Sequence, residues 1–266
     1  MKQPKVARIK SADRVRDSVT WNETEISVAH PAGRTATPLH IQVAQKLATE
    51  IFQRRRRPGD ILPSEQEMSQ SLSLSRSAVR EAIRILVAKG LVEPRPKRGT
   101  CITEKTEWNL LDPDVLAWMF ASGPDEELVR NLFELRLILE PAVAALAASR
   151  RTVGHLSKMF TALDVMDKET LSSEAGRQAD KDFHAALMTA AGNDQLSSLN
   201  ATIGASIALS TRYKLEHNVL GDDPVLAHRA VYEAIESGDV DEARWRMESL
   251  IRQAMKDIVK RPARNS

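Results

Sequence analysis

The stretch from Pro63 to Gly90, PSEQEMSQSLSLSRSAVREAIRILVAKG, constrains the fold of this chain more than any other. Ser64, with Glu67 three residues later, has the spacing of a capping box and predicts the start of a short helix. Ser75 is a second N-cap candidate, because the apolar residues that follow it recur at helical spacing. The stretch therefore predicts two short helices joined by a tight polar connection.

The second of these helices is predicted to have one apolar face and one face of serine and arginine. Serine hydroxyls near a helix N-terminus bind phosphate, and arginine binds phosphate or guanine. The pattern therefore fits a DNA groove, while an amphipathic helix with a solvated basic face stays open as an alternative. The apolar face is predicted to contain Val79, Ile83, Leu86 and Val87, and the polar face Arg76, Ser77, Arg80 and Arg84.

A predicted helix precedes this stretch and a predicted hairpin follows it. Residues 38–54 carry an apolar side chain at every fourth position, as an amphipathic helix does. After Gly90, two short β-prone runs flank the basic, proline-containing segment 94–99. Three helices followed by a basic hairpin predict a winged helix-turn-helix, in which one helix enters the major groove and the wing reaches phosphates or the minor groove.

Charge and composition limit the class of protein. Residues 1–104 hold 19 Lys and Arg against 11 Asp and Glu, whereas the remaining residues hold 19 against 25, so only the first part is expected to meet a polyanion. Aromatic residues make up only 4%, which favours helices over sheet. A single cysteine, Cys101, excludes an internal disulfide. Because there is neither an apolar run of about 18 residues nor a signal-peptide pattern, we expect a soluble cytoplasmic protein without membrane contact.

The rest of the chain divides into three predicted parts. Residues 1–36 show no sustained period and are predicted to be a flexible arm. Residues 105–123 are predicted to be a linker helix, capped by Asp112 and docked on the second domain. Residues 124–262 are predicted to form about six helices separated by turn residues. A helical bundle of this length can enclose a small ligand.

Candidate ligands for a metal lie on two of the bundle helices. Asp180 and His184 share one helix face at i and i+4, and His228 lies on another predicted helix. One carboxylate and two imidazoles suit zinc first, with nickel, manganese or iron as alternatives. From spacing alone, one Asp-x-x-x-His pair is more often a surface pair or a satisfied polar contact than a metal site. Arg136 can bind a carboxylate bidentately or form an ion pair with Glu140 four residues later.

The motifs PG-x-x-LPSE, SRSAVREAI-x-x-L, KGLVE and RGT stand in order within residues 58–100. Together they resemble the DNA-binding domain of GntR-superfamily transcriptional regulators, and the resemblance covers residues 37–104. Glycine at the wing tip also has a physical reason, since it lets the backbone approach nucleic acid closely. The resemblance implies DNA contacts from Ser64, Ser75, Arg76, Ser77, Arg80, Arg98 and Gly99.

The later motifs ELRLILEPAVAALAA, D-x-x-FH-x-AL-x-x-AAGN and H-x-AVYEAIESGD are similar to the FCD effector-binding domain of the FadR subfamily. The resemblance implies that Asp180, His184 and His228 bind a divalent metal and that Arg136 contacts an effector. Many members carry a further histidine in the last helix, where this chain has Leu250. The implied site is therefore three-liganded. The bridge WNLLDPDVLAWMF resembles that of sugar-acid regulators in this subfamily, which implies a sugar-acid or hydroxy-acid effector.

These observations predict a mainly α protein, with an N-terminal winged helix-turn-helix and a C-terminal all-α bundle at residues 124–262 for effector binding and dimerisation. The resemblance implies a homodimeric transcriptional regulator that binds a palindromic operator in double-stranded DNA, and we expect it to be a repressor. An FCD regulator that binds another organic acid or an acyl ligand without metal is the alternative. A metal-dependent hydrolase or lyase is a weaker one, because the sequence nominates no general base.

Overall fold

The computed structural model describes residues 37–123, 126–217 and 224–259, so the predicted arm at residues 1–36 lies outside the described residues. Its N-terminal unit is a winged helix-turn-helix, as predicted. The two strands pair antiparallel, with Val92 opposite Ile102 and Arg95 opposite Gly99. The unit contains α1 (Leu39–Phe52), α2 (Glu65–Ser71), α3 (Arg76–Ala88), β1 (Val92–Arg95) and β2 (Gly99–Ile102).

The two helix starts are capped as the sequence predicts. Ser64 and Glu67 form the reciprocal capping box of α2, and the Ser75 hydroxyl accepts a hydrogen bond from Ala78 N at the start of α3. One prediction for α3 is wrong, because Val87 is 38% exposed and lies outside the core. Each i+4 step advances about 40° around a helix, so two steps from Val79 carry Val87 past the buried stripe.

The linker contains a 3₁₀ turn, Lys105–Glu107, and α4 (Pro113–Ala121), which begins at the predicted cap Asp112. We predicted that this helix docks on the second unit, but it packs against the winged unit as well. Leu116 and Phe120 belong to the core of the C-terminal bundle, whereas Trp118 belongs to the core of the winged unit. The linker helix is therefore shared between two cores.

The C-terminal unit is a helical bundle with one continuous apolar core. We predicted about six helices, and the described residues contain seven because a four-residue helix follows Asn193, which caps it. No helix in the described ranges is long and apolar enough to cross a membrane. The bundle consists of α5 (Glu126–Arg150), α6 (Val153–Glu169), α7 (Glu174–Ala190), α8 (Asp194–Ser197), α9 (Asn200–Glu216), α10 (Pro224–Ser237) and α11 (Val240–Val259).

Candidate effector site and DNA-binding surface

Two helices of the bundle bring the predicted metal ligands together. Asp180 and His184 lie one turn apart on α7, and His228 comes from α10. His228 Nε2 is 3.1 Å from Asp180 Oδ1 and 3.3 Å from His184 Nε2, and His184 Nε2 is 3.6 Å from Asp180 Oδ1. All three residues are buried, with exposures of 5% or less. The structure therefore places these predicted ligands in one buried cluster.

A second ring of contacts orients both imidazoles. His184 Nδ1 lies 2.5 Å from Glu140 Oε2, and His228 Nδ1 donates to the carbonyl oxygen of Pro224 over 2.7 Å. With both Nδ1 protons directed outward, each Nε2 turns its lone pair toward the centre of the cluster. This is the arrangement by which carboxylates and carbonyls orient metal-binding histidines in proteins.

The carboxylates of this cluster are held in the charged form. Burial alone would raise the pKa of Glu140, but the charge of Arg136 and the contact with His184 outweigh it and lower that pKa to about 2. Burial likewise opposes ionisation of Asp180, and contacts with His228, His184 and Arg136 nevertheless bring the pKa of Asp180 below its usual value. Two ionised carboxylates and two imidazole lone pairs make a site suited to a cation.

The donor set fits a divalent metal ion. Asp180 Oδ1 is buried and makes no well-aligned hydrogen bond to any described residue, although His228 Nε2 lies 3.1 Å away. Zinc bonds to nitrogen and oxygen are roughly 2.0–2.2 Å long, and atoms that share one such ion lie about 3 Å apart, close to the separations found here. Leu250, at the position where the resemblance implied a histidine, lines the same cavity without offering a ligand. The other coordination positions are therefore left to water or an effector.

The cluster opens into a cavity of about 550 Å³, a volume suited to a small organic ligand. Arg136 lines this cavity and is only 4% exposed. Its Nε donates to Glu140 Oε1 over 2.6 Å, so the predicted ion pair is present. The same arginine therefore pairs with Glu140 and also borders the cavity, and its predicted contact with an effector carboxylate stays a prediction. The remaining wall is mostly apolar and includes Met166, Ile207, Val225 and Leu250.

The predicted DNA-contacting residues of the helix-turn-helix are all exposed. Arg76 and Ser77 are exposed on the first turn of α3, and the Ser77 hydroxyl lies 3.0 Å from that of Ser75. Arg80 donates to Glu65 Oε2 over 3.0 Å, but its side chain is 57% exposed. An exposed ion pair of this kind contributes little to stability and can be exchanged for a phosphate contact.

The wing carries the other predicted contacts at its tip. Arg98 N donates to Arg95 O over 3.1 Å and closes a tight turn, in which Lys97 has a φ of 62° and Gly99 a φ of 92°. Arg98 and Gly99 are both exposed. The strained turn keeps the basic tip narrow, which is the form that a groove or a phosphate backbone accepts.

Sequence reasoning missed three features of the cavity. Glu140 was considered only as a partner of Arg136, although it also orients His184. The carbonyl of Pro224, four residues before His228, could have been suggested by helical spacing alone. Thr211 lines the cavity, and no motif in the sequence pointed to it.

Comparison with known proteins agrees with this architecture. Residues 39–102 match the family model "Bacterial regulatory proteins, gntR family", and residues 131–253 match the FCD domain. The galactonate operon transcriptional repressor of Escherichia coli (strain K12) is 33% identical over 204 residues, covering 74% of this chain and 86% of the repressor. The regulator LutR of Bacillus subtilis (strain 168) is 40% identical over 143 residues, covering 54% and 64%.

A solved structure shows the same fold at low sequence identity. That of Lar, described as controlling the expression of the Listeria monocytogenes agr system, has a TM-score of 0.60 at 19% identity and covers 86% of this chain and 100% of its own. Together with the family matches, the winged unit and the helical bundle identify the chain as a transcriptional regulator and not an enzyme. The chain belongs to the GntR family of bacterial regulators, in the group that carries an FCD domain.

Proposed function

We propose that this protein is a repressor whose operator binding is released by a small carboxylate, a sugar acid or hydroxy acid, bound at a metal-containing pocket. One observation carries the proposal. Asp180, His184 and His228 form one buried cluster in the lining of a cavity that Arg136 also lines. A cation site beside an arginine is a receptor for an oxygen-rich anion.

The effector class is supported by relatives as well as by chemistry. The 33% identical relative is a galactonate operon repressor, and another relative, 35% identical over 145 residues, is the Uxu operon transcriptional regulator of Escherichia coli (strain K12). The same class follows from the site, because a metal and a guanidinium together recognise a carboxylate with a neighbouring hydroxyl.

Each residue of the pocket has a separate role in this proposal. Asp180 Oδ1 and the Nε2 atoms of the two histidines hold the ion, and Glu140 keeps His184 in the required tautomer and orientation. The bound ion supplies a positive centre for a hydroxyl and one carboxylate oxygen of the effector. Arg136, whose Nε is occupied by Glu140, has its two Nη groups left for the other oxygen.

The output of the switch is the exposed surface of the winged unit. As a homodimer, the protein would place two copies of α3 in successive major grooves of a palindromic operator. Effector binding would favour a dimer geometry that fits the two half-sites poorly, with a coupling free energy of about 1–3 kcal/mol. The proposed DNA contacts are those of Ser64, Ser75, Arg76, Ser77, Arg80, Arg98 and Gly99.

Metal analysis of the purified protein tests the input side. After exhaustive dialysis against metal-free buffer, the wild type should retain close to one divalent ion per chain, whereas His184→Ala should retain almost none. His40→Ala, a histidine of the winged unit, is the matched control and should keep the metal. A wild type without stoichiometric metal would remove the metal site, and a thermal-shift response to organic or acyl acids in that sample would favour the metal-free alternative.

Gel-shift titration on DNA from the upstream region of the protein's own gene tests the output side. Arg76→Ala and Arg80→Ala should each abolish specific retardation, because they remove cations from the groove-facing surface. Arg252→Ala removes an exposed arginine of α11 and should leave the affinity for DNA unchanged. Unchanged affinity in the α3 variants would show that this helix does not read the operator.

A further inference from the structure

Among the buried serine and threonine residues of α9, one that lines the effector pocket differs from the others in its hydrogen bonding. Four such residues are 6% exposed or less, and three of them already use their hydroxyl. Thr202 donates to Leu111 O over 2.6 Å, Ser206 to Thr202 O over 3.0 Å and Ser210 to Ile207 O over 2.9 Å. The fourth, Thr211, makes no hydrogen bond through its side chain to any residue of the described ranges.

This exception matters because serine and threonine inside helices ordinarily bond the carbonyl one turn back. Leaving a hydroxyl unpaired in a buried position costs free energy, so such a group usually has a partner outside the chain. Thr211 is 6% exposed and lines the effector cavity. The missing partner is therefore expected within that cavity.

Thr211 shares its cavity with the candidate metal ligands and Arg136. Ile207 and Lys214, which also line the cavity, are respectively buried and half-buried, and Thr211 lies between them on α9, about one turn of 5.4 Å from each. An effector held by the metal ligands and Arg136 can therefore present a further group to Thr211 within the same cavity.

We propose that Thr211 hydrogen-bonds a second hydroxyl of the effector, so that the pocket selects 2,3-dihydroxy acids over 2-hydroxy acids that end in a methyl group. This inference rests on the proposed function, because it takes the carboxylate and the 2-hydroxyl to lie at the metal and Arg136. A methyl group at this position would leave the threonine hydroxyl without a partner, whereas a hydroxyl group satisfies it. Sites built around a hydrogen bond reject analogues that lack it.

Glycerate and lactate form a matched pair of probes, since they differ only by a hydroxyl at C3. Calorimetric titration of the metal-loaded full-length protein, with both enantiomers of each acid, should give glycerate an advantage of about tenfold or more. Thr211→Val should remove that advantage by weakening glycerate alone, and Thr211→Ser should keep it. Ser210→Ala is the control, because Ser210 lines the same cavity but its hydroxyl is already bonded within the helix.

The outcomes separate this inference from the proposed function. If His184→Ala and Arg136→Met abolish binding of both acids while Thr211→Val keeps the preference for glycerate, the proposed function stands and the role of Thr211 is refuted. Equal affinity of the wild type for the two acids also refutes it, as does a wild type that binds neither. In the last case, metal content measured on the same sample decides whether the metal site falls as well.

Discussion

Glu140 is the residue through which the two halves of the candidate site are joined. One of its oxygens accepts from Arg136 over 2.6 Å, and the other lies 2.5 Å from His184 Nδ1. The side chain is fully buried, so its charge is compensated only by these neighbours and the cluster around them. A change at Arg136 is therefore expected to reach His184 through this carboxylate.

Glu140→Gln should weaken metal binding by about 10–100-fold, because it removes the charge that orients His184 and raises its basicity. The measurement is competition with a chromogenic chelator on protein shown by circular dichroism to be folded. Glu134→Gln, at an exposed position of the same helix, is the control and should leave metal affinity unchanged. Wild-type affinity in Glu140→Gln would mean that this carboxylate has no part in holding the ion.

Gly90 lies just after the C-terminal end of α3 and packs against the linker. Its φ is 73°, and a Cβ there would lie 2.1 Å from Glu107 O. Gly90→Ala should therefore lower the free energy of unfolding by about 2 kcal/mol or more, measured by denaturant titration. Gly59→Ala has a comparable φ of 86° but nothing within 4 Å, so it should show only the backbone cost of about 1 kcal/mol. Equal losses would show that the close approach to Glu107 is unimportant.

At the scale of elements, α4 connects α3 of the winged unit to α9, which lines the cavity. Lys89, at the end of α3, donates to Asp112 over 2.7 Å and to Asp114 over 2.8 Å. On the bundle side, the ring of Phe120 meets that of Tyr213 on α9 edge-on, with centroids 6.4 Å apart. Because α9 also lines the cavity, a shift of this helix can reach α3 through packed groups.

Lys89→Met should reduce the effect of an effector on operator affinity while leaving affinity for the effector unchanged. The variant loses the ion pairs with Asp112 and Asp114, and it replaces the ammonium group that lies 5.4 Å from the centre of the Trp118 ring with an apolar group of similar length. Fluorescence anisotropy of labelled operator, with and without effector, measures the change. Lys168→Met removes an exposed ion pair on α6 and serves as control. If the effector lowered operator affinity in Lys89→Met as much as in the wild type, the ion pairs of Lys89 with Asp112 and Asp114 would have no part in transmitting effector binding to α3.

The same ion pairs have a defined pH dependence. Burial lowers the pKa of Lys89, but the hydrogen bonds to Asp112 and Asp114 raise it above the usual value overall. Burial raises the pKa of Asp112, and the bond to Lys89 brings that pKa below its usual value. The ion pairs' contribution to the free energy of unfolding is lost as the pH falls through the folded-state pKa of Asp112, and also as the pH rises through the folded-state pKa of Lys89.

The difference in unfolding free energy between wild type and Lys89→Met should therefore stay constant from about pH 5 to 9 and shrink in stronger acid or base. Denaturant titrations of both proteins across this range measure it. A difference that vanished near neutral pH would contradict the ion pairs.

These elements also show what the sequence could and could not predict. Caps at Ser64, Ser75 and Asp112 were predictable, because a cap depends only on neighbours in the chain. The shared packing of α4 was not, since the apolar character of Trp118 and Phe120 predicts burial but not the partner. Glu140 and Thr211 were hidden for the same reason: their roles depend on helices far away in sequence.

At the scale of the whole molecule, the basic and acidic parts of the chain correspond to its two structural units. The basic part, residues 1–104, includes the winged unit with its exposed arginines, and the acidic remainder includes the bundle that encloses the three candidate metal ligands. The resemblance in the sequence predicted both units and the three ligand residues. Spacing alone left the metal set ambiguous, because only the fold brings His228 from α10 to Asp180 and His184 on α7.

In the proposed function, an acid bound at the metal pocket lowers the protein's affinity for its operator. Release of the operator on addition of the acid tests this most directly. Anisotropy of a labelled operator should fall when a sugar acid is added to the metal-loaded wild type, with affinity for DNA reduced about 5–150-fold. His184→Ala, and wild type stripped by a chelator, should bind the operator but not respond to the acid. A variant or stripped protein that releases the operator as the wild type does would contradict the account.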